Sequence, residues 1–526
     1  MYDYIIVGAG SAGCVLAARL TEDADTTVLL IEAGGWDTDP YIHMPVGFFK
    51  MTEGDQIWGY NTVPQKNCNN RQIPMIQARV IGGGSSINAE VFTRGAPQDY
   101  DRWANDEGCP GWSYDEIKPY FIKSEGNDTL GAPHHGATGP LGVSTLDAQP
   151  MTRVFVQACQ QFGIPHTSDF NGPEQAGCGV YQITTKDAKR CSAAVGYLNP
   201  AKPRPNLTIE TDCQVNRIVV EDGTAIGVDY IKGGQTIAAR ASREVLLTAG
   251  AIGSPKLMML SGLGPADHLR EHGLEVVADI PGVGANLHDH FDIDIVYELK
   301  GPWSFDKYRK WYWKLMAGLQ YKLFKSGPVA SNIVEGGAFW WTNRDEPTPD
   351  TQYHFLVGAG VEAGVAPPSS GSGVTVNFYY LRPRSRGTVR LASASPSDSP
   401  LIDPNYADDP YDLKMTVEAI KLGRELMRQP IFDDYIEREH FPGEDVSSDA
   451  DIGEYAKNHG RTSYHPVGTC KMGQDDMAVV GPDLRVHGIK SLRICDSSVM
   501  PSIVSSNTNA PTIMIAEKAS DLIRGL

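Results

Sequence analysis

Two features of this chain could do chemistry: a glycine-rich turn at its N-terminus and a few histidines near its C-terminus. Gly8-Ala9-Gly10-Ser11-Ala12-Gly13 follows the apolar run Tyr4-Ile5-Ile6-Val7 and precedes a helical pattern through Leu16 and Leu20. In such a turn the first glycine permits the bend, the second lets a pyrophosphate approach the backbone, and the third lets helix and strand pack closely. The helix N-terminus adds amides and positive dipole for the phosphates. A second apolar run, Thr27-Val28-Leu29-Leu30-Ile31, ends at Glu32, where a carboxylate can accept both ribose hydroxyls and repels a 2′-phosphate. This strand–turn–helix–strand unit predicts a bound dinucleotide, FAD or NAD and not NADP; the turn itself does not separate the first two. His465 sits between Tyr464 and Pro466 in a stretch without periodicity, which suggests a loop. An imidazole titrating near neutrality suits proton transfer, although by its surroundings alone such a histidine is more often a satisfied structural residue.

Other reactive types read as bland. His288, Asp289 and His290 are too few for a metal cage, and no CxxC, HExxH, GxSxG or Walker-type spacing occurs. Glu335, in Val334-Glu335-Gly336-Gly337, could be a pocket acid, but a solvated or salt-bridged carboxylate is the commoner use. The cluster Tyr308, Trp311, Tyr312 and Trp313 reads as core or lid packing.

The elements that must position these residues follow from the pattern. Short β-branched runs alternate with turns over residues 207–250, the last, Val245-Leu246-Leu247-Thr248-Ala249-Gly250, leading into a helix with Leu257-Met258-Met259-Leu260. Aromatic-rich strands occupy residues 352–391, interrupted by a Pro/Gly/Ser-rich link at 367–373. Their period-2 alternation predicts a separate, half-exposed antiparallel sheet with helices.

Bulk properties narrow the class. With 526 residues the chain can bury a large core, and 46 Lys+Arg against 64 Asp+Glu give a net charge of −18, the wrong sign for a nucleic-acid footprint. No apolar run is long enough to span a membrane, and no secretory signal is legible, so a cytoplasmic location is expected. Nine scattered cysteines fit free thiols in a reducing compartment.

Further blocks give the chain a family likeness. Ala78-Arg79-Val80-Ile81-Gly82-Gly83-Gly84-Ser85-Ser86-Ile87-Asn88 resembles the first signature of the glucose–methanol–choline (GMC) flavoprotein oxidoreductases. Gly250-Ala251-Ile252-Gly253-Ser254-Pro255 through Ser261-Gly262-Leu263-Gly264 resembles the second. Gly282-Val283-Gly284-Ala285-Asn286-Leu287 with Asp289-His290 resembles a further block, and residues 464–473 with 496–512 resemble the C-terminal catalytic half. The blocks stand in family order, and residues 42–47, 88–95 and 459–466 are closest to bacterial FAD-dependent L-sorbose dehydrogenases.

The resemblance implies an α/β flavoprotein of two domains. A Rossmann-like FAD-binding domain would comprise residues 1–155, 205–295 and 463–526; a substrate domain of antiparallel sheet plus helices would comprise 156–204 and 296–462. It implies FAD contacts from Gly8, Gly10, Ser11, Ala12, Gly13, Glu32, Ala33, Arg79, Gly82, Gly83, Ser86, Asn88, Ala89, Val215, Ala249, Asp496, Asn509, Pro511 and Thr512. A histidine that bonds covalently to flavin in some family members is matched here by Ile87, so FAD is expected to be non-covalent. His465 matches the family histidine facing flavin N5 and Asn509 is matched to its partner; Tyr464 and Glu335 join His465 as expected substrate contacts. Pro511 suits the first turn of a final helix, whose positive end would face the flavin pyrimidine.

The implied reaction is oxidation of a primary alcohol by hydride transfer to FAD, with L-sorbose or a related polyol favoured and non-sugar alcohols as the alternative. Asn332, Glu335, His354, Asn377 and Tyr379 could pair sugar hydroxyls, whereas Trp340, Trp341, Phe355 and Phe378 would suit aromatic or aliphatic alcohols. A quinone or dye acceptor is favoured over dioxygen, and a homodimer is open. Two rival readings remain: a flavin-containing lyase of the same fold, disfavoured by asparagine at 509, and a redox-silent FAD-binding protein, which leaves His465 and Asn509 unexplained.

Overall fold

The computed structural model describes residues 1–359 and 365–526. The strand Tyr2–Val7 passes through the glycine turn into the helix Ser11–Leu20 and back to the strand Val28–Ile31, as the sequence predicts. These strands sit mid-sheet in a seven-stranded sheet ordered Leu207–Glu210, Val28–Ile31, Tyr2–Val7, Gln235–Leu247, Thr224–Lys232, Gln214–Glu221, with Leu492–Ile494 also on Gln235–Leu247. Pairing is parallel around Tyr2–Val7, with Ile5 level with Leu29 on one side and Val245 on the other, and antiparallel among the last three strands. Both faces of the parallel part are covered, which is why those strands are continuously apolar.

The helix Ser11–Leu20 packs on the C-terminal helix Asn509–Arg524. Glu517, fully buried, ties the two together: Arg19 lies 2.7 Å from its carboxylate and the Tyr197 hydroxyl donates to it at 2.8 Å. A buried carboxylate stripped of those partners would be strongly destabilising, so the clamp fixes the start of the last helix relative to the glycine turn.

A second seven-stranded sheet, antiparallel throughout, runs Ile436–Phe441, Phe291–Leu299, Gly373–Tyr380, Thr351–Leu356, Val334–Trp340, Gly177–Val180, with Arg461–Thr462 on the start of Phe291–Leu299. One face is apolar: Ile293, Tyr353, Phe355 and Phe378 pack beneath the helices Pro150–Phe162 and Pro410–Met427. Residue 155 lies within the helix Pro150–Phe162 and residue 295 within the strand Phe291–Leu299. The other face carries Asp292, Asp294, Gln352, His354, Asn377 and Tyr379, all buried. The predicted half-exposed sheet is therefore corrected: its alternation survives because the polar face looks into the protein, toward a cavity that the loop of Tyr464 and His465 also lines, and not into solvent.

The aromatic cluster at 308–313 is likewise not core. In the helix Trp311–Phe324 only Ala317 is buried, and Trp311 is 75% exposed. All nine cysteines are free and buried. Among the described residues no helix is long and apolar enough to cross a membrane and no metal-binding cluster occurs.

Candidate functional site

His465 is held from three sides. Its backbone N–H donates to Asp289 at 2.9 Å, and the same carboxylate receives the hydroxyls of Tyr406 and Thr462. The preceding residue, Tyr464, adopts φ +62° and donates its N–H to Thr462 Oγ1 at 2.8 Å. The imidazole Nδ1 lies 3.1 Å from Nδ1 of His290, whose Nε2 lies 3.0 Å from the Leu381 carbonyl. Those two contacts fix the tautomers. A carbonyl only accepts, so His290 carries its proton on Nε2; burial pushes its pKa down to about 3, leaving Nδ1 as an acceptor. His465 must then donate from Nδ1. Its own pKa is held well below the ordinary value by burial and by neighbouring His290 and His354, so it is neutral and its Nε2 presents the acceptor lone pair.

That lone pair meets Asn507, not Asn509. Asn507 Nδ2 donates to His465 Nε2 at 3.2 Å, while its Oδ1 receives Thr93 Oγ1 and Gln352 Nε2, each at 3.1 Å. Tyr379 in turn donates to Gln352 Oε1 at 2.8 Å, which sets the orientation of the amide. Asn509 opens the last helix and accepts from Ser11 Oγ at 2.8 Å; it faces the glycine turn. The expected pairing of His465 with Asn509 is thus not the one the fold brings together. Both residues lie in Asn507-Thr508-Asn509, so a match made along the sequence could choose either. Asn507 and His290 are the two neighbours of His465 that sequence reading missed. The repeated asparagine was the only signal for the first, and the second lay in a block assigned a structural role.

A cavity of about 730 Å³ joins the C-terminal ends of the parallel strands to the polar face of the antiparallel sheet. Gly8, Glu32, Ala249 and Asp496, each just past the end of a parallel strand, line it, the usual place for a ligand in an open α/β sheet. So do Gly10, Ser11, Ala12, Ala33, Gly83 and Asn88, together with Ala89, Val215, Asn509 and Thr512. Glu32 accepts from the amides of Ala9 and Gly34 at 2.8 and 2.9 Å. Asp496 accepts from Gly250 N–H and Ser254 Oγ. Burial raises the pKa of both carboxylates above the ordinary range.

The remaining expected cofactor residues support this wall without lining it. A Cβ on Gly13 would stand 1.9 Å from Gly8 O, so glycine is required for the turn and helix to meet. Gly82, at φ +87°, donates its N–H to Ala9 O at 2.8 Å, and Ser86 Oγ donates to Ile81 O. Pro511 is buried in the first turn of the last helix. Arg79 stacks 5.2 Å from the Trp58 ring, with its Nε buried and unpartnered. A Cβ on Gly8 would strike Thr248 O at 2.7 Å and one on Gly83 would strike Gly10 Cα at 2.6 Å. A bare backbone cradle, a helix N-terminus and the Glu32 carboxylate in one cavity fit a dinucleotide with phosphates at the turn and ribose at Glu32.

Tyr464 and His465 line the cavity; Glu335 does not. Its carboxylate accepts from Gln149 N–H, Thr152 Oγ1 and Ser331 Oγ at 2.7, 2.8 and 2.6 Å, so its substrate-binding role is corrected to a buried structural one. Asn332 Nδ2 donates to Ala89 O and the Tyr379 hydroxyl to Gln352, leaving His354 and Asn377 on the cavity wall. Phe355 stacks on Phe155 at 4.5 Å, and Trp340 and Trp341 stack against Arg344, away from the cavity.

Known proteins resemble this chain in sequence and in fold. Family models described as GMC oxidoreductase match residues 2–292 and 383–516. An alcohol dehydrogenase [acceptor] of Pseudomonas putida is 41% identical over 99% of this chain and 96% of its own length. An oxygen-dependent choline dehydrogenase of Burkholderia cenocepacia is 43% identical over 100% and 94%. A mutant of Aspergillus oryzae formate oxidase, solved for its effect on FAD modification, superposes with a TM-score of 0.94 at 27% identity, covering 100% of this chain and 98% of that one. The chain therefore belongs to the GMC oxidoreductase family, binds FAD and acts on an alcohol-type donor.

Proposed function

We propose that the protein oxidises a non-sugar primary alcohol to the aldehyde, with His465 accepting the hydroxyl proton and Asn507 orienting the oxygen. The observation that carries this is the contact between the Nδ1 atoms of His290 and His465, which leaves the His465 Nε2 lone pair beside Asn507 on the cavity wall. Bound FAD supplies the acceptor for the hydride that leaves the carbinol carbon. The alcohol O–H proton passes to Nε2, giving an imidazolium, and the Asn507 amide donates to the same oxygen as charge builds on it. The cation forms against a buried, neutral His290, so it is short-lived and releases its proton when the aldehyde departs. Ile87 lines the cavity and offers no nucleophile, in keeping with non-covalent FAD.

Substrate class follows from what is left to bind it. Val334 and Leu356 of the antiparallel sheet, with Ala89, Val91 and Phe48, give the cavity wall apolar residues beside the polar His354 and Asn377. Most of the polar groups that could have paired a sugar are spent on the protein. Each sugar hydroxyl buried there without a partner would cost about 1–3 kcal/mol, so an aliphatic or aromatic alcohol is favoured over L-sorbose.

Anaerobic mixing with a panel of alcohols tests both parts. Benzyl alcohol or a medium-chain alkanol should bleach the flavin with kcat/KM well above that for L-sorbose. A preference for L-sorbose would overturn the substrate class, and no bleaching by any alcohol would overturn the reaction and favour a redox-silent or lyase role. Admission of air, then of a quinone, to the bleached enzyme identifies the acceptor; faster return of colour with quinone is expected.

A further inference from the structure

The helix Trp311–Phe324 presents its apolar residues to solvent. Trp311, Leu315, Leu319 and Leu323 recur every four residues, 75%, 66%, 56% and 62% exposed, flanked by Met316 and Phe324. Leu315 and Leu319 each lie two residues from Ala317, the only buried residue of the helix, so they project from the opposite side. Exposed apolar residues in a contiguous row mark an interaction surface.

Charge says what covers it. Residues 303–327 hold Lys307, Arg309, Lys310, Lys314, Lys322 and Lys325 against a single acid, Asp306, in a chain of net charge −18. Lys310, Lys314, Lys322 and Lys325 are exposed alongside the apolar row. Joining two copies through this face would set like lysines against each other, because a twofold contact pairs each patch with itself. An anionic lipid surface meets both needs, taking up the apolar row and attracting the lysines. At 14 residues the helix is too short to span a bilayer.

The patch also continues to the cavity. The helix packs on Pro328–Ala330, which packs on Pro45–Lys50; there Phe49 is 40% exposed and Phe48 and Phe49 line the cavity. We propose that the helix Trp311–Phe324 docks the protein onto an anionic phospholipid surface, bringing the Phe48 and Phe49 side of the cavity next to the membrane so that membrane-dissolved ligands enter from the bilayer. This surface is independent of the substrate reading: a polar substrate would not alter the docking.

The test is sedimentation of the FAD-loaded enzyme with vesicles. Binding to phosphatidylglycerol/phosphatidylcholine vesicles should exceed that to pure phosphatidylcholine at least tenfold and fall as salt is added. Leu315→Glu with Leu319→Glu should abolish sedimentation, and Lys314→Glu with Lys322→Glu should abolish the preference for anionic lipid. Both pairs are exposed, so FAD content and turnover of a water-soluble alcohol should be unchanged, which certifies folding. Failure to sediment, equal binding to both vesicle types, or wild-type binding by the leucine variant would each overturn the proposal. So would an analytical ultracentrifuge run in which the leucine variant converts a vesicle-indifferent dimer to a monomer, since the patch would then bind a second copy.

Discussion

The two seven-stranded sheets build their shares of the site in different ways. The parallel sheet works from its strand ends: Gly8, Glu32, Ala249 and Asp496 each lie one or two residues past a strand, and what they offer is backbone space or a carboxylate anchored by nearby amides. The antiparallel sheet works from one face, where Gln352, His354 and Tyr379 bond one another and, through Gln352, orient Asn507. In a strand-end site each residue is placed by its own strand and the turn that follows it. A sheet-face site depends on register across strands, and its polar groups are largely consumed in holding each other.

That contrast can be broken or sharpened by mutation. The largest effect should come where the two parts meet: His465→Ala should keep FAD yet slow anaerobic flavin reduction about 10²–10⁴-fold, the range for losing a general base. Reduction at the parental rate would remove His465 from the chemistry. Next, Asn507→Ala should slow reduction on the order of 10²-fold, as removal of one preorganised donor does, while Asn509→Ala should chiefly lower FAD content. If Asn509→Ala instead slowed reduction more, the pairing with His465 drawn above would be wrong. Glu32→Ala, confined to the strand-end region, should lose FAD on dilution while the occupied fraction reduces normally. Full retention after gel filtration would deny Glu32 a ribose role.

On the sheet-face side, Glu335→Gln should lower thermal stability by about 1–3 kcal/mol, because an amide cannot accept from all of Gln149, Thr152 and Ser331. Its KM should not move; a raised KM would return Glu335 to the substrate pocket. The smallest expected change is with pH. His465 is held neutral by burial, its pKa below the ordinary value, so the base form persists as pH falls through about 6.5. kcat/KM should therefore stay level across that range and decline only in more acidic solution. A profile that halves near 6.5 would describe a solvated histidine.

The strand-end half was legible in the sequence because its signals are local. Gly8, Gly10, Gly13 and Glu32 declare a turn and a ribose site within one supersecondary unit, and the strands of residues 207–247 showed their period directly. The sheet-face half was legible as a sheet but not as a site. Whether Glu335 or His354 meets the cavity is decided by which way each strand turns its residues, and the same alternation fits a solvent face or an internal polar one. His290 escaped notice because it acts through a contact 175 positions away in the chain. Of the outward row on Trp311–Phe324 the sequence analysis marked only the aromatics at its start, since only tertiary packing tells which side of an isolated helix is left uncovered.

The step from Asn507 to Asn509 works as a ruler. With one residue between them, one amide reaches His465 and the other the glycine turn, and the Glu517 clamp holds the helix behind them. Losing Thr508 would leave both amides in the chain yet deny at least one its partner. A change of length in this segment would therefore misplace two groups at once, whereas insertions at exposed loop tips elsewhere are cheap.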